Sequence, residues 1–187
     1  MQWTNTKERY GWVSIAFHWL GALAVLTMLF IGLSAAWAEE AGNRDQHRAL
    51  MTIHTSLGTV LVGFLLLRIL LHYTQTMVAA PEQSPPLKLA AFGTHNLLLL
   101  AVLMMIVSGP MMIWTAARPL NFGGLFHIPS PFAERNRDLH EVFEKVHLVG
   151  RYTLYVLIPL HVLGALKHLV LDRDGVFQRM LTPKQSG

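Results

Sequence analysis

Four long, predominantly apolar runs divide the chain, over residues of about 12–38, 49–72, 89–115 and 146–171. A helix of about 20 such residues crosses the roughly 30 Å hydrocarbon core of a bilayer, so each run is long enough to span. Lipid offers no hydrogen bonds to an exposed backbone, which leaves helices or closed barrels as the only spanning forms. Runs of this length predict an all-α integral membrane four-helix bundle, read as one domain over residues 1–187. Charged residues make up only 14% of the chain and hydrophobic ones 52%, against about 25% charged in soluble domains. The formal charge of +4 sits in loops and ends. It therefore bears on topology and lipid headgroups, and no nucleic-acid partner is expected. The chain has no cysteine, which excludes disulfides, thiol catalysis, thiolate iron–sulfur clusters and covalently attached c-type haem. Ala36-Trp37-Ala38 resembles a signal-peptidase site, but a 27-residue apolar run is too long for a signal h-region and is read as a span.

The connections differ in character. Residues 39–48 form a short polar loop, 77–86 a proline-rich linker, and 172–187 a polar tail. The longest connection, 116–145, carries Gly123-Gly124, Pro129 and Pro131 as breakers; from Phe132 it reads as a polar helix leading into the fourth span. Gly109-Pro110 predicts a kink late in the third span. Four spans place both termini on one side. That side holds Lys7, Arg9, Arg68, Lys88, Lys167, Arg173, Arg179 and Lys184, eight cations, against six on the other, or seven with Arg151. The positive-inside rule then favours cytoplasmic termini.

Ten histidines in so apolar a chain call for an explanation. The last run, VHLVGRYTLYVLIPLHVLGALKHLVL, contains His147, His161 and His168. His147 and His161 are 14 residues apart, close to four helical turns and about 21 Å along the axis, so both rings leave one side of the helix. Alternating spans give the others a depth: His18 enters from the terminal side and matches His161, while His54 lies near the opposite surface and matches His147. These same four each have a glycine three or four residues on (Gly21, Gly58, Gly150, Gly164), and no other histidine does. At about 7% glycine one such window fills roughly one time in seven by chance, so four in four is informative. A glycine there leaves space for a flat ring against the backbone. The bland alternative for any one of them is a polar residue satisfied across helices. Paired in depth, they are read as axial ligands of two haem irons, His18–His161 and His54–His147. His47 and His140, seven residues before His54 and His147 on the same faces, are the nearest competing choices and are read as surface residues; His72 and His127 are read as interface and loop residues. Arg68 lies 14 residues after His54 and either pairs with a haem propionate or snorkels to headgroups. Met104, Met105, Met111 and Met112 read as packing, and the tryptophans as interface anchors.

The stretches RYGWVSIAFHWLGAL (9–23), IHTSLG (53–58), GTHNLLLLAVLMMIVSG (93–109) and LHVLGALKHLVLDRDG (160–175) resemble the bacterial cytochrome b561 family of di-haem inner-membrane proteins. The HWL entry and the H-x6-H-x3-DRDG ending are its specific parts. The resemblance assigns two haem b groups, with iron ligands at His18, His54, His147 and His161. It implies enzymes that oxidise periplasmic superoxide and reduce ubiquinone, and a lipocalin-like isoprenoid-binding protein as an associate of some members. Asn121 to Glu144 departs most from the family pattern.

Within that frame the expected activity is electron transfer from a periplasmic donor such as superoxide to ubiquinone. The outer pair would receive the electron and the inner pair pass it on. Arg118, Arg135, Arg137 and Lys145 offer a basic rim for an anion, interleaved with Glu134, Asp138, Glu141 and Glu144. His168, seven residues after His161, is the first candidate to bond the quinone, with Lys88 and His95 behind it. A second reading is a haem-bearing membrane anchor of a larger dehydrogenase. A third, a histidine-based ion transporter, expects acidic residues within the spans, and there are none.

Overall fold

A computed structural model describes residues 1–183; Lys184, one of the cations counted above, lies outside them. Four long helices dominate: α1 (Trp12–Glu40), α2 (Arg44–Thr74), α3 (Pro85–Thr115) and α4 (Arg137–Lys167). A hairpin of β1 (Leu120–Phe122) and β2 (Phe126–Ile128) joins α3 to α4, and α4 runs through a single π turn, His168–Asp172, towards the short α5 (Val176–Arg179). All four long helices are long and apolar enough to cross a membrane. Each reaches beyond its apolar run into flanking polar sequence, because a helix keeps its backbone bonded whether or not lipid surrounds it.

The ends of the helices show why they start where they do. The chain before α1 doubles back, so that the Trp12 and Val13 N–H groups donate to the carbonyls of Gln2 and Trp3 at 3.1 and 3.2 Å. These serve donors that a helix N-terminus leaves open. Gly11 makes the approach possible: a Cβ there would lie 2.3 Å from the Trp3 carbonyl oxygen. Gly11→Ala is therefore expected to push the N-terminal segment off α1 and to cost about 1–3 kcal/mol, measured as a lower thermal midpoint in detergent; an unchanged midpoint would contradict it. Asn43 and Asn136 cap α2 and α4, accepting from the N–H groups of Gln46 and Leu139.

Two features depart from the sequence expectation. The polar helix expected from Phe132 begins only after Asn136, whose own N–H is held by the Thr115 carbonyl at 2.9 Å. The hairpin was not foreseen at all. Gly123 and Gly124 both take positive φ, 58° and 83°, which glycine alone adopts freely. They fold Phe122 onto Phe126 with ring centroids 4.4 Å apart, while Leu120 is buried against α2. α3 runs on through Gly109-Pro110, and α4 likewise through Pro159.

Packing is uneven. α3 lies along α4 and α1 along α2, whereas α1 and α4 hardly touch, nor do α2 and α4. The core runs through Leu65 and Ile69 of α2, Leu99, Val102 and Ile106 of α3, and Leu154 of α4. At the α3–α4 seam Gly150 lets the backbones close up: a Cβ would meet Met105 Sδ at 3.0 Å and the Ala101 carbonyl at 3.4 Å. Small residues at helix crossings are how spans associate where lipid is as apolar as the side chains. Leu23, Phe30, Val156 and Leu163 face outwards, as a lipid-facing surface requires.

The N-terminal segment, the 75–84 linker and α5 with the residues just after it gather at one end of the bundle. Asn5 is bonded to Gln75 and Thr76, the Ala79 N–H donates to the Lys7 carbonyl at 2.7 Å, Arg179 donates to Ala79 at 3.2 Å, and the Trp19 indole donates to Met180 at 2.7 Å.

Candidate functional site

Where α1 and α4 stand apart, their histidines face each other. The His18 and His161 rings have centroids 6.1 Å apart, tilted by 57°. Nearer the hairpin end the same occurs across α2 and α4, with His54 and His147 at 6.5 Å and 76°. The depth argument from sequence thus names two pairs that do meet.

These spacings test whether the residues suit a haem. Two imidazoles on one metal, each with a metal–nitrogen bond of about 2 Å and half a ring beyond it, put their centroids on the order of 6 Å apart. Both pairs meet that condition. The surroundings agree. Among the described residues, Nε of Arg68 is buried without a hydrogen-bond partner, as are the Arg151 Nε and the Tyr155 hydroxyl on α4. Buried donors left open in a bundle whose spans contain no carboxylate suit a guest that brings carboxylates of its own.

Arg68 is turned inward, away from the lipid face. Its Nη2 lies 3.4 Å from His18 Nδ1, and its stem crosses Gly21, where a Cβ would lie 2.5 Å from Cδ. It points into the bundle beside the His18–His161 pair.

The glycines beside the four histidines have different neighbours, and Gly164 keeps the open space expected for a flat ring. Gly21 makes way for Arg68, Gly58 for the Met28 methyl, and Gly150 for α3, while nothing lies within 4 Å of a Cβ at Gly164. The glycine that does crowd a ring is Gly32 on α1, whose Cβ would lie 3.2 Å from His54 Cε1. No spacing rule within α2 points to it, because it comes from the neighbouring helix.

His47 and His140 are half-buried rather than surface residues. His47 Nδ1 bonds the Ala35 carbonyl at 3.0 Å, and His140 Nδ1 the Thr115 hydroxyl at 3.1 Å. One pair lower, His147 Nδ1 lies 3.0 Å from Ser108 Oγ. Ser108 gave no signal in the sequence, since a lone serine in an apolar span has no partner until α3 and α4 pack.

At the terminal end His168 is built into a second cluster. The π turn after α4 is followed by Arg173 and Gly175, both left-handed at φ 52° and 77°, so the chain reverses and returns Asp174 to His168. The Nδ1–Asp174 Oδ2 distance is 2.7 Å, and Asp172 Oδ2 lies at 3.4 Å from the same nitrogen while pairing with Lys167 at 2.5 Å. Gln83 of the linker reaches His168 Nε2 at 2.9 Å. Burial works against ionising Asp174, but the Val176 N–H and the His168 ring outweigh it and hold the carboxyl below its usual range. Lys88 and His95, the weaker candidates for this cluster, are not part of it. Lys88 is exposed in the first turn of α3, and His95 packs on His161 with ring centroids 5.2 Å apart.

A bundle with histidines facing at two levels invites comparison with known membrane cytochromes. The model of the prokaryotic cytochrome b561 family matches residues 9–183. The chain belongs to the prokaryotic cytochrome b561 family. Among its relatives is "Cytochrome b561 homolog 2" of Escherichia coli (strain K12), 32% identical over 189 residues that cover 100% of this chain and 98% of the relative. Another is named "Probable superoxide oxidase CybB", from Yersinia pestis, 28% identical over 183 residues covering 96% and 99%. Family membership and the four apolar helices make this a multi-pass bacterial inner-membrane cytochrome b561 working in electron transfer, and the family's cofactor is haem b.

Proposed function

We propose that this cytochrome b561 carries two haem b groups and moves electrons across the inner membrane from a periplasmic donor such as superoxide to ubiquinone. The observation that supports it is the pair of facing imidazole sets, at 6.1 and 6.5 Å, in the gap between helices that otherwise avoid each other. Haem, when bound, supplies one-electron chemistry; the polypeptide holds, orients and tunes it. His18 and His161 would ligate the inner iron and His54 and His147 the outer one, with Arg68 bonding a carboxylate of the inner group.

The hairpin end would face the periplasm. There Arg135 and Arg137 line an open hollow with His140, Glu141 and Glu144. Lys145 is already paired with Glu141 at 2.7 Å, so capture of a small anion falls to the arginines. The terminal end would face the cytoplasm and the quinone. His168 is the proton-handling residue: Asp174 holds Nδ1, and Nε2 points where Gln83 now sits. A quinone oxygen takes that place once Gln83 moves aside.

A reduced-minus-oxidised visible spectrum with haem quantification on the purified protein tests the reading. Two b haems per chain are expected, reducible by superoxide, with ubiquinol as product. A colourless protein would overturn it. Two haems that ignore superoxide, in a protein that co-purifies with a large dehydrogenase, would make it instead the haem-bearing anchor of that enzyme. His168→Ala is expected to slow ubiquinone reduction by about 100-fold while superoxide still reduces the haems; equal quinone rates would remove His168 from the site. A C-terminal fluorescent fusion should mature, since that end would lie in the cytoplasm, whereas a C-terminal alkaline phosphatase fusion should stay inactive.

A further inference from the structure

We propose that Ser108 is the positioning residue of the outer histidine pair, holding His147 in the one tautomer that can bind iron through Nε2. The proposal rests on the reading of His147 as a ligand. Ser108 has no solvent exposure, and its Oγ lies 2.5 Å from the Met104 carbonyl oxygen and 3.0 Å from His147 Nδ1. A hydroxyl has one hydrogen to give. The carbonyl can only accept, so that hydrogen goes to Met104. Towards His147 the oxygen is then an acceptor, and Nδ1 must carry the ring proton. Nε2 is left with its lone pair exposed, as a metal ligand requires, and the ring cannot rotate without giving up a buried hydrogen bond.

The device is repeated along the seam. Seven residues on in α3 and seven back in α4, Thr115, also without exposure, donates to the Met111 carbonyl at 2.7 Å and accepts from His140 Nδ1 at 3.1 Å. Among the described residues no side chain hydrogen-bonds the His54 ring, and the His18 ring faces Arg68. Among the four proposed ligands only His147 has a neutral hydroxyl acceptor behind it. Accepting the Nδ1 proton makes the imidazole a stronger donor to a metal and favours the ferric state, so Ser108 would lower the midpoint potential of the outer haem.

The test is a potentiometric titration, followed optically, of the intact protein and of Ser108→Ala, Ser108→Thr and Thr115→Val. Ser108→Ala should keep two haems per chain and move one midpoint upwards, leaving the other in place. Ser108→Thr should restore the original value. Thr115→Val, which removes an equally buried hydroxyl from the same seam, should move neither. If Ser108→Ala does not fold, Ser108→Thr against Ser108→Cys gives the same comparison, since a thiol is a weak acceptor. Unchanged midpoints in Ser108→Ala or Ser108→Cys, or an equal shift in Thr115→Val, overturn the role of Ser108 while the ligand set stands. Retention of two haems in His147→Ala would overturn the ligand reading itself.

Discussion

Replacing His147 by alanine should leave a protein with one haem in place of two, and replacing His54 should do the same. Each substitution removes one of the two proposed ligands from the pair at 6.5 Å, and a single imidazole holds a haem far less firmly than two. The inner pair is formed by α1 and α4 at the other end of the bundle, 14 residues along α4 from His147. It shares no ring contact with the outer pair, so its haem should keep its spectrum and midpoint. Haem quantification and low-temperature visible spectra on the two variants read this directly. Loss of the inner haem, or of both together, would contradict the assignment of depths. His47→Ala and His140→Ala are the natural controls, since these rings lie on the same helix faces and are bonded to Ala35 and Thr115 instead.

The second large effect is expected at Arg68. Arg68→Gln should lower the midpoint of the inner haem by on the order of 100 mV, the effect of removing a unit charge about 6 Å away at an effective dielectric of about 20. The sign follows from the chemistry. Reduction adds an electron to the haem, a nearby guanidinium favours that, and the variant takes the guanidinium away. With its Nη2 at 3.4 Å from His18 Nδ1, Arg68 also cannot stay where it stands once that nitrogen carries a proton, because both groups would then be donors. It must turn to an acceptor, and its buried, unpartnered Nε is the group left to be satisfied. A redox titration showing the inner midpoint unchanged, or raised, would place Arg68 outside the haem's surroundings. Weaker retention of the inner haem in the same variant is the outcome expected if the guanidinium bonds a propionate.

The cluster around His168 shows how motif and geometry divided the work. The ending DRDG was visible as a motif, but not why it matters. The left-handed turns at Arg173 and Gly175 bring Asp174 back onto a histidine six residues earlier, a contact that helical periodicity does not predict. Gln83 comes from a linker that composition marks only as proline-rich, and it reaches His168 because both lie at the end of the bundle that holds the N-terminal segment and α5. Depth alone also admits Lys88 and His95. Depth leaves the angle around the bundle unspecified, and that angle sets His95 against His161 and leaves Lys88 exposed.

Four spans, two levels and the histidines that share a level are legible along the chain. Those follow from helix rise and from the cost of polar groups in lipid, both of which act along a single chain. What stands beside each ring comes only from packing: Arg68 and Gly21 at His18, Gly32 at His54, Ser108 at His147, and the hairpin over the outer end. Each of those contacts joins residues from different elements, and their meeting depends on how far the helices approach and rotate against one another. Apolar surfaces in lipid set that only loosely, so close-packed small residues and buried hydrogen bonds settle it.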